Sequence, residues 1–210
     1  MKILVFGPQG SGKGTQAELI SRKYKLPYIA TGDIFRFHIK EGTQLGKKVK
    51  SYVDKGELTP GSLTNEIVKD RIQQPDCSVG FVLDGYPRNI SQQKFLESIA
   101  KIDLVFVINI SDTEAVSRLK DRLACKCGLS YHPVNNPPYK KGICNKCGDK
   151  LFVRDDDKPA AIKKRLAIYH KETELVLEIY QKSNTLHQIN GAQGIEEVFA
   201  EIDNIIILYK

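Results

Sequence analysis

The chain has 210 residues, enough for one domain's core with room for an insertion or two. Its 41% hydrophobic and 27% charged content excludes a disordered polymer, and no apolar run approaches the ~20 residues needed to cross a bilayer. The net charge of +7 suits an anionic partner, nucleotide or nucleic acid, although dispersed surface lysines account for it as well. Residues Met1 to Gly7 are too short for a signal-peptide core and run straight into a glycine loop, so a cytoplasmic protein without a membrane partner is expected.

In chain order, residues 3–6 form an apolar run ending in glycine, which predicts a buried strand. Gly7-Pro8-Gln9-Gly10-Ser11-Gly12-Lys13 follows and matches the first seven positions of the P-loop pattern. The glycines let the backbone curl so that successive N–H groups face phosphate oxygens, and the next helix adds its positive end and Lys13 a full charge. Gly14 stands where Ser or Thr is usual, with Thr15 after it, so a water-mediated magnesium is expected rather than a hydroxyl-bound one. Residues 13–24 then carry helical spacing at Ala17, Leu19 and Ile20.

Further apolar runs at 81–83 and 104–108 read as strands covered on both faces. Helical stretches at 91–100 and 113–123 separate and follow them, and 159–181 and 195–210 are the last two helix candidates. Alternating strands and helices predict an α/β layered fold with a parallel sheet. Thr31-Gly32-Asp33 precedes Arg36, where Thr31 or Asp33 suits a helix cap. Residues 125–158 break the rhythm with Pro133, Pro137, Pro138 and several glycines. A structureless loop of that length needs something other than a hydrophobic core to hold it.

Four of the five cysteines fall in this segment. Cys144-x-x-Cys147 and Cys125-x-Cys127, each followed by glycine, read as two halves of a zinc ribbon. Four thiolates binding a metal would turn binding free energy into folding free energy. His132 is an alternative ligand, and Cys77, far away, reads as an inert thiol.

Three runs together carry a resemblance. Gly7 to Gln16, the run Phe81-Val82-Leu83-Asp84-Gly85-Tyr86-Pro87-Arg88, and Thr31-Gly32-Asp33 with Arg36 are similar to the signature segments of adenylate kinases, and the resemblance extends over nearly the whole chain. It implies a P-loop three-layer fold with a central parallel five-stranded sheet, a helical AMP-binding insertion and a small zinc-ribbon-like lid. The implied division is a core of 1–30, 60–121 and 159–210, an AMP-binding arm of 31–59 and a metal-binding lid of 122–158. It also implies ATP, AMP and ADP as partners, magnesium with ATP, a structural zinc in the lid, and a monomer.

The family's roles fall on matching positions. Gly10, Ser11, Gly12, Lys13, Gly14 and Thr15 would cradle ATP, with Arg118, Arg122, Ser130, Tyr131 and Gln193 also on the donor side. Thr31, Arg36, Glu57, Leu58, Thr59, Gly85, Tyr86, Pro87, Arg88 and Gln92 would hold AMP. The amide of Gln92 offers adenine a donor and an acceptor together. Arg154 and Arg165 would close over the transferring group beside Arg88 and Arg122, while Asp84 would hold magnesium's water shell. Arg118 and Arg122, four apart on the predicted helix, would share a face. Leu123 stands where many members carry a further arginine. Cys125, Cys127, Cys144 and Cys147 would bind the metal, although one residue separates the first pair where the family has two.

Each arginine taken alone is more often a solvated surface residue, and the shared spacing carries the reading. A UMP/CMP-type nucleoside monophosphate kinase shares most of this pattern. A P-loop protein binding nucleic acid through a zinc ribbon is a further alternative, against which the cysteine segment lacks clustered cations interleaved with aromatics.

Overall fold

The computed structural model describes residues 1–209, without the side chain of Asp155. Five parallel strands form the central sheet: β1 (Lys2–Phe6), β2 (Tyr28–Ala30), β3 (Phe81–Asp84), β4 (Leu104–Asn109) and β7 (Leu186–Asn190), in the order β2-β3-β1-β4-β7. The three-layer α/β expectation holds. Two further strands, β5 (Leu123–Ala124) and β6 (Ser130–Tyr131), pair antiparallel.

Alternation along β1 explains the layering. Ile3 and Val5 face a cluster with Ala17 and Ile20 of α1 (Lys13–Tyr24) and with Val198, Ile202 and Ile206 of α9 (Ile195–Tyr209). Leu4 and Phe6 face the opposite cluster. There they meet Val68 of α4 (Gly61–Ile72), Leu96 of α5 (Ile90–Ile99) and Tyr180 of α8 (Glu174–Lys182). Both faces are therefore dry, as parallel sheets require. Two short helices, α2 (Thr31–Lys40) and α3 (Gln44–Asp54), leave the end of β2, packed so closely that a Cβ on Gly46 would lie 2.0 Å from the His38 carbonyl oxygen.

Several boundaries differ from the sequence reading. The predicted helix 113–123 is α6 (Asp112–Lys120); Asp121 leaves helical geometry, and Arg122 and Leu123 belong to the turn and strand beyond. Arg118 and Arg122 therefore do not share a helix face. The stretch 159–181 is one continuous rod, α7 (Pro159–Ile168), a π-helical turn (Tyr169–Thr173) and α8. The last helix covers Ile195–Tyr209, and Lys210 lies outside the described residues. Thr31 is not a capping residue: Ala30 holds that position, and the Thr31 hydroxyl donates instead to the Gly85 carbonyl at 3.0 Å.

Candidate active site

The phosphate loop runs from the carboxyl end of β1 to the start of α1, at the sheet edge where α/β folds bind ligands. A Cβ on Gly7 would lie 2.6 Å from the Ile108 carbonyl oxygen, so only glycine lets the loop leave β1 against β4. Lys13 folds back over this loop, its ammonium donating to the Pro8 carbonyl at 3.3 Å. Burial lowers its pKa to about 8; Asp84 opposes the fall, while Arg165, Arg88 and Arg122 add to it. A cation held in such a place gains by meeting an anion.

Asp84 ends β3 beside β1 and faces Lys13. Burial raises its pKa, against the pull of Lys13. One carboxylate oxygen, Oδ2, accepts the Tyr28 hydroxyl at 3.1 Å. The other, Oδ1, is buried without a protein partner among the described residues. Such an oxygen fits a water of magnesium's hydration shell, the donor it lacks.

Arg88 is fixed at three points. Its Nε donates to the Gly85 carbonyl at 2.7 Å and its backbone N–H to Gln92 Oε1 at 2.8 Å, while its carbonyl accepts the Thr173 hydroxyl at 3.0 Å. The Gln92 oxygen is thus engaged internally, and its Nε2 is the donor left for a base.

Two carboxylates organise the other guanidinium groups. Arg122 Nε donates to Asp157 Oδ2 at 2.8 Å and Arg154 Nε to Asp156 Oδ1 at 2.7 Å, while Arg165 pairs with Asp156 at 3.1 Å and Asp157 at 3.5 Å. Burial alone would raise Asp156, but Arg154 and Arg165 outweigh it and hold the carboxyl well below the usual range. Arg165 is lowered by burial to about 9 and remains a cation at neutral pH. Arg36 pairs with Asp33 on α2.

Two crevices meet here. One, of about 440 Å³, runs along the phosphate loop past Lys13 to Arg165 and Thr173. The other, of about 570 Å³, lies between α2 and the β3 loop and is lined by Thr31, Arg36, Leu58, Thr59 and Gln92 among others. Gly56, Leu58, Gly85, Arg88 and Arg165 line both. The phosphate loop and the α2 side therefore share a junction at Arg88 and Arg165.

Other expected residues stand at the margins. Glu57 pairs with Lys164 at 2.6 Å, and the Thr59 hydroxyl bonds that of Thr64 at 2.7 Å. Pro87 lines the first crevice, whereas Tyr86 is buried behind it, its hydroxyl donating to Asn65 Oδ1 at 2.7 Å. Arg118 donates to the Gly191 carbonyl at 2.9 Å, beside Gln193, whose amide nitrogen donates to the Asn190 carbonyl. Ser130 is half-buried on β6. Tyr131 is buried within the cysteine segment with its hydroxyl 3.4 Å from Cys144 Sγ. Tyr28, Lys164 and Thr173 were not singled out from the sequence.

The four cysteine sulfurs lie within 4.8 Å of one another, Cys125–Cys147 at 3.3 Å and Cys127–Cys144 at 3.6 Å. Four sulfurs about 2.3 Å from one tetrahedral zinc would sit about 3.8 Å apart, so the cluster fits. Both knuckles close alike despite their unequal spacing, Gly128 N–H donating to the Cys125 carbonyl and Gly148 N–H to the Cys144 carbonyl, each at 3.0 Å. Cys125 is therefore as well placed as its partners. His132 is not a ligand candidate: its Nδ1 accepts the Val134 and Asn135 N–H groups.

A phosphate loop facing a second crevice across converging arginines defines a P-loop kinase of the nucleoside monophosphate class. A family profile described as adenylate kinase matches residues 5–185. Proteins named adenylate kinase from Methanocella arvoryzae and Acetivibrio thermocellus are 49% and 47% identical over 96% and 98% of both chains. One from Methanothrix thermoacetophila is 46% identical over the full length of both. The chain belongs to the adenylate kinase family.

Proposed function

We propose that the protein catalyses reversible phosphoryl transfer between ATP and AMP, yielding two ADP. The observation that carries this is the junction of the two crevices at Arg88 and Arg165. In this reading ATP, carrying its magnesium, lies along Gly10 to Thr15, with Lys13 turning from the Pro8 carbonyl to its terminal phosphates. AMP lies against Thr31, Arg36, Leu58, Arg88 and Gln92. An AMP phosphate oxygen attacks the γ-phosphorus, the bond from that phosphorus to the β–γ bridging oxygen breaks, and ADP leaves on each side. No protein nucleophile is needed; position and neutralised charge suffice.

Arg88 orients the acceptor phosphate, because its own backbone is fixed on both sides. Arg122, Arg154 and Arg165 share two buried carboxylates and would turn toward the transferring oxygens as these gain charge. Asp84 Oδ1 would accept a hydrogen bond from a water of the magnesium that ATP carries. Gln92 Nε2, as a donor, suits the ring nitrogen N1 of adenine and opposes the N1–H of guanine. Pyrimidine monophosphates are the rival acceptors.

Residues 31–59 serve as the AMP-binding arm and 122–158 as the lid over a core of 1–30, 60–121 and 159–210. Their closure excludes water that would otherwise accept the phosphoryl group. The four cysteines would hold a structural zinc, whose binding would help fold the lid, because the lid's own apolar cluster is small. No described helix is long and apolar enough to cross a membrane; a cytoplasmic monomer is the setting we infer. The test is ADP formation from ATP with AMP, UMP or CMP under magnesium. Phosphorylation of AMP well above both pyrimidine nucleotides supports the reading, and preferential use of UMP or CMP overturns the substrate assignment.

A further inference from the structure

Tyr28 has no place in the mechanism above, yet its hydroxyl touches the carboxylate at the mechanism's centre. It lies on β2, the edge strand beside β3, and pairs in register with Val82. The ring packs against the apolar cluster beneath α1, so few rotamers are open to it. From there the hydroxyl donates to Asp84 Oδ2 at 3.1 Å. The other oxygen, Asp84 Oδ1, is buried with no protein partner among the described residues.

The phosphate loop makes room for this contact. A Cβ on Gly14 would meet Asp84 Oδ2 and the Tyr28 hydroxyl oxygen, each at 3.3 Å. A Ser or Thr there, the usual choice of the P-loop pattern, would press a hydroxyl into the space that Asp84 and Tyr28 now bound. The chain thus lacks a hydroxyl at position 14 and carries a phenolic one beside it, from a strand that is remote in sequence.

A carboxylate on a short side chain can rotate about its terminal bond, exchanging its two oxygens or tilting both away. Lys13, as a mobile point charge, attracts the group without choosing between oxygens. A directional donor on Oδ2 does choose, and leaves Oδ1 as the buried acceptor without a protein partner among the described residues.

We propose that Tyr28 is a positioning residue for phosphoryl transfer: its hydroxyl, in the space Gly14 leaves open, fixes the Asp84 carboxylate so that Oδ1 meets the hydrated divalent cation of the donor nucleotide. This rests on the reading of Asp84 given under Proposed function. Tyr28 touches neither substrate nor cation, and acts through Asp84 alone.

The test uses the full chain and Tyr28→Phe, which keeps the ring and removes the hydroxyl. A net hydrogen-bond loss felt only through Asp84 predicts that kcat falls roughly 3- to 10-fold with KM for AMP unchanged. A second readout is independent of turnover. Binding of Mn2+ to protein saturated with a non-hydrolysable ATP analogue, followed by water-proton relaxation, should weaken by a similar factor while the unfolding midpoint stays put. In the Asp84→Asn background the same substitution should change Mn2+ binding no further, because the two residues act as one unit. Unchanged Mn2+ binding in Tyr28→Phe would overturn the proposal. So would an equal weakening in both backgrounds, or a loss that comes with a fallen midpoint and a raised KM for AMP. Should the parent form no ADP at all, the kinase reading fails separately, and the Mn2+ comparison still decides whether Tyr28 acts through Asp84.

Discussion

Replacing Lys13 by Met should make the unliganded protein more stable while nearly abolishing its activity. Met keeps most of the apolar stem and removes the charge. Burial moves the lysine from its ordinary 10.5 to about 8. At about 1.4 kcal/mol per tenfold change in proton affinity, that is on the order of 3 kcal/mol against the charged form at neutral pH. The crevice mouth admits water and screens part of this, so about 1–2 kcal/mol is expected in practice. For a chain of this size that corresponds to roughly 2–8 °C in the unfolding midpoint. Turnover should fall by roughly 10²–10³, the usual effect of losing one preorganised donor.

The pH dependence carries the sign. Below about 8 both folded and unfolded chains hold the Lys13 proton, and the penalty is fully present. Between about 8 and 10.5 the unfolded chain holds the proton that the folded chain has released, so parent stability rises with pH relative to the variant. Calorimetry without nucleotide should therefore find Lys13→Met above the parent at pH 7 and the gap closing toward pH 10.5. A variant less stable than the parent at pH 7, or a gap indifferent to pH, would refute the reasoning.

Removing the lid metal with a chelator should lower the unfolding midpoint, and elemental analysis should find one zinc per chain in the parent and a reduced content in Cys125→Ser. Zinc retained at parental level in Cys125→Ser would remove that residue from the site. Gly46→Ala must push a methyl carbon toward the His38 carbonyl, 2.0 Å from its ideal position, and should cost about 1–3 kcal/mol by chemical denaturation. A neutral result there would mean that α2 and α3 separate freely. His170 bridges Asp112 at 2.9 Å and Glu174 at 2.7 Å, and these hydrogen bonds, Asp112 first, raise its pKa. Its stabilising effect is full below the ordinary 6.5 and fades as pH rises through the higher folded-state value. His170→Ala should lower the midpoint at about pH 6 and leave it unchanged at about pH 9; the opposite order would contradict the assignment.

What could be read from the sequence follows from burial. Ile3 to Phe6, Phe81 to Leu83 and Leu104 to Ile108 are dry on both faces, so they appear as unbroken apolar runs. The two edge strands do not: Tyr28-Ile29-Ala30 is three residues long, and Leu186-His187-Gln188-Ile189-Asn190 has one fully buried side chain. Helix periodicity placed Arg122 on α6, but the chain leaves the helix after Lys120, and position rather than periodicity brings Arg122 to Asp157. The π-helical turn inside 169–173 has no signature in an apolar pattern that continues through it. Contacts between distant segments were also hidden: Tyr28 meets Asp84 56 residues away, Thr173 meets Arg88 85 away, and Lys164 meets Glu57 107 away. The cysteine cluster was legible because metal chemistry needs particular residue types, while the equivalence of its unequal knuckles required their backbone geometry.

The claim on which the rest depends is that two nucleotides sit with their phosphates meeting at Arg88 and Arg165. Phosphorus NMR of the purified protein with magnesium, ATP and AMP tests it most directly. ADP should form until all three nucleotides reach equilibrium, and Arg88→Ala should slow that approach by orders of magnitude. Spectra in which ATP and AMP persist unchanged, or in which ATP is hydrolysed to ADP and free phosphate with AMP untouched, would contradict it.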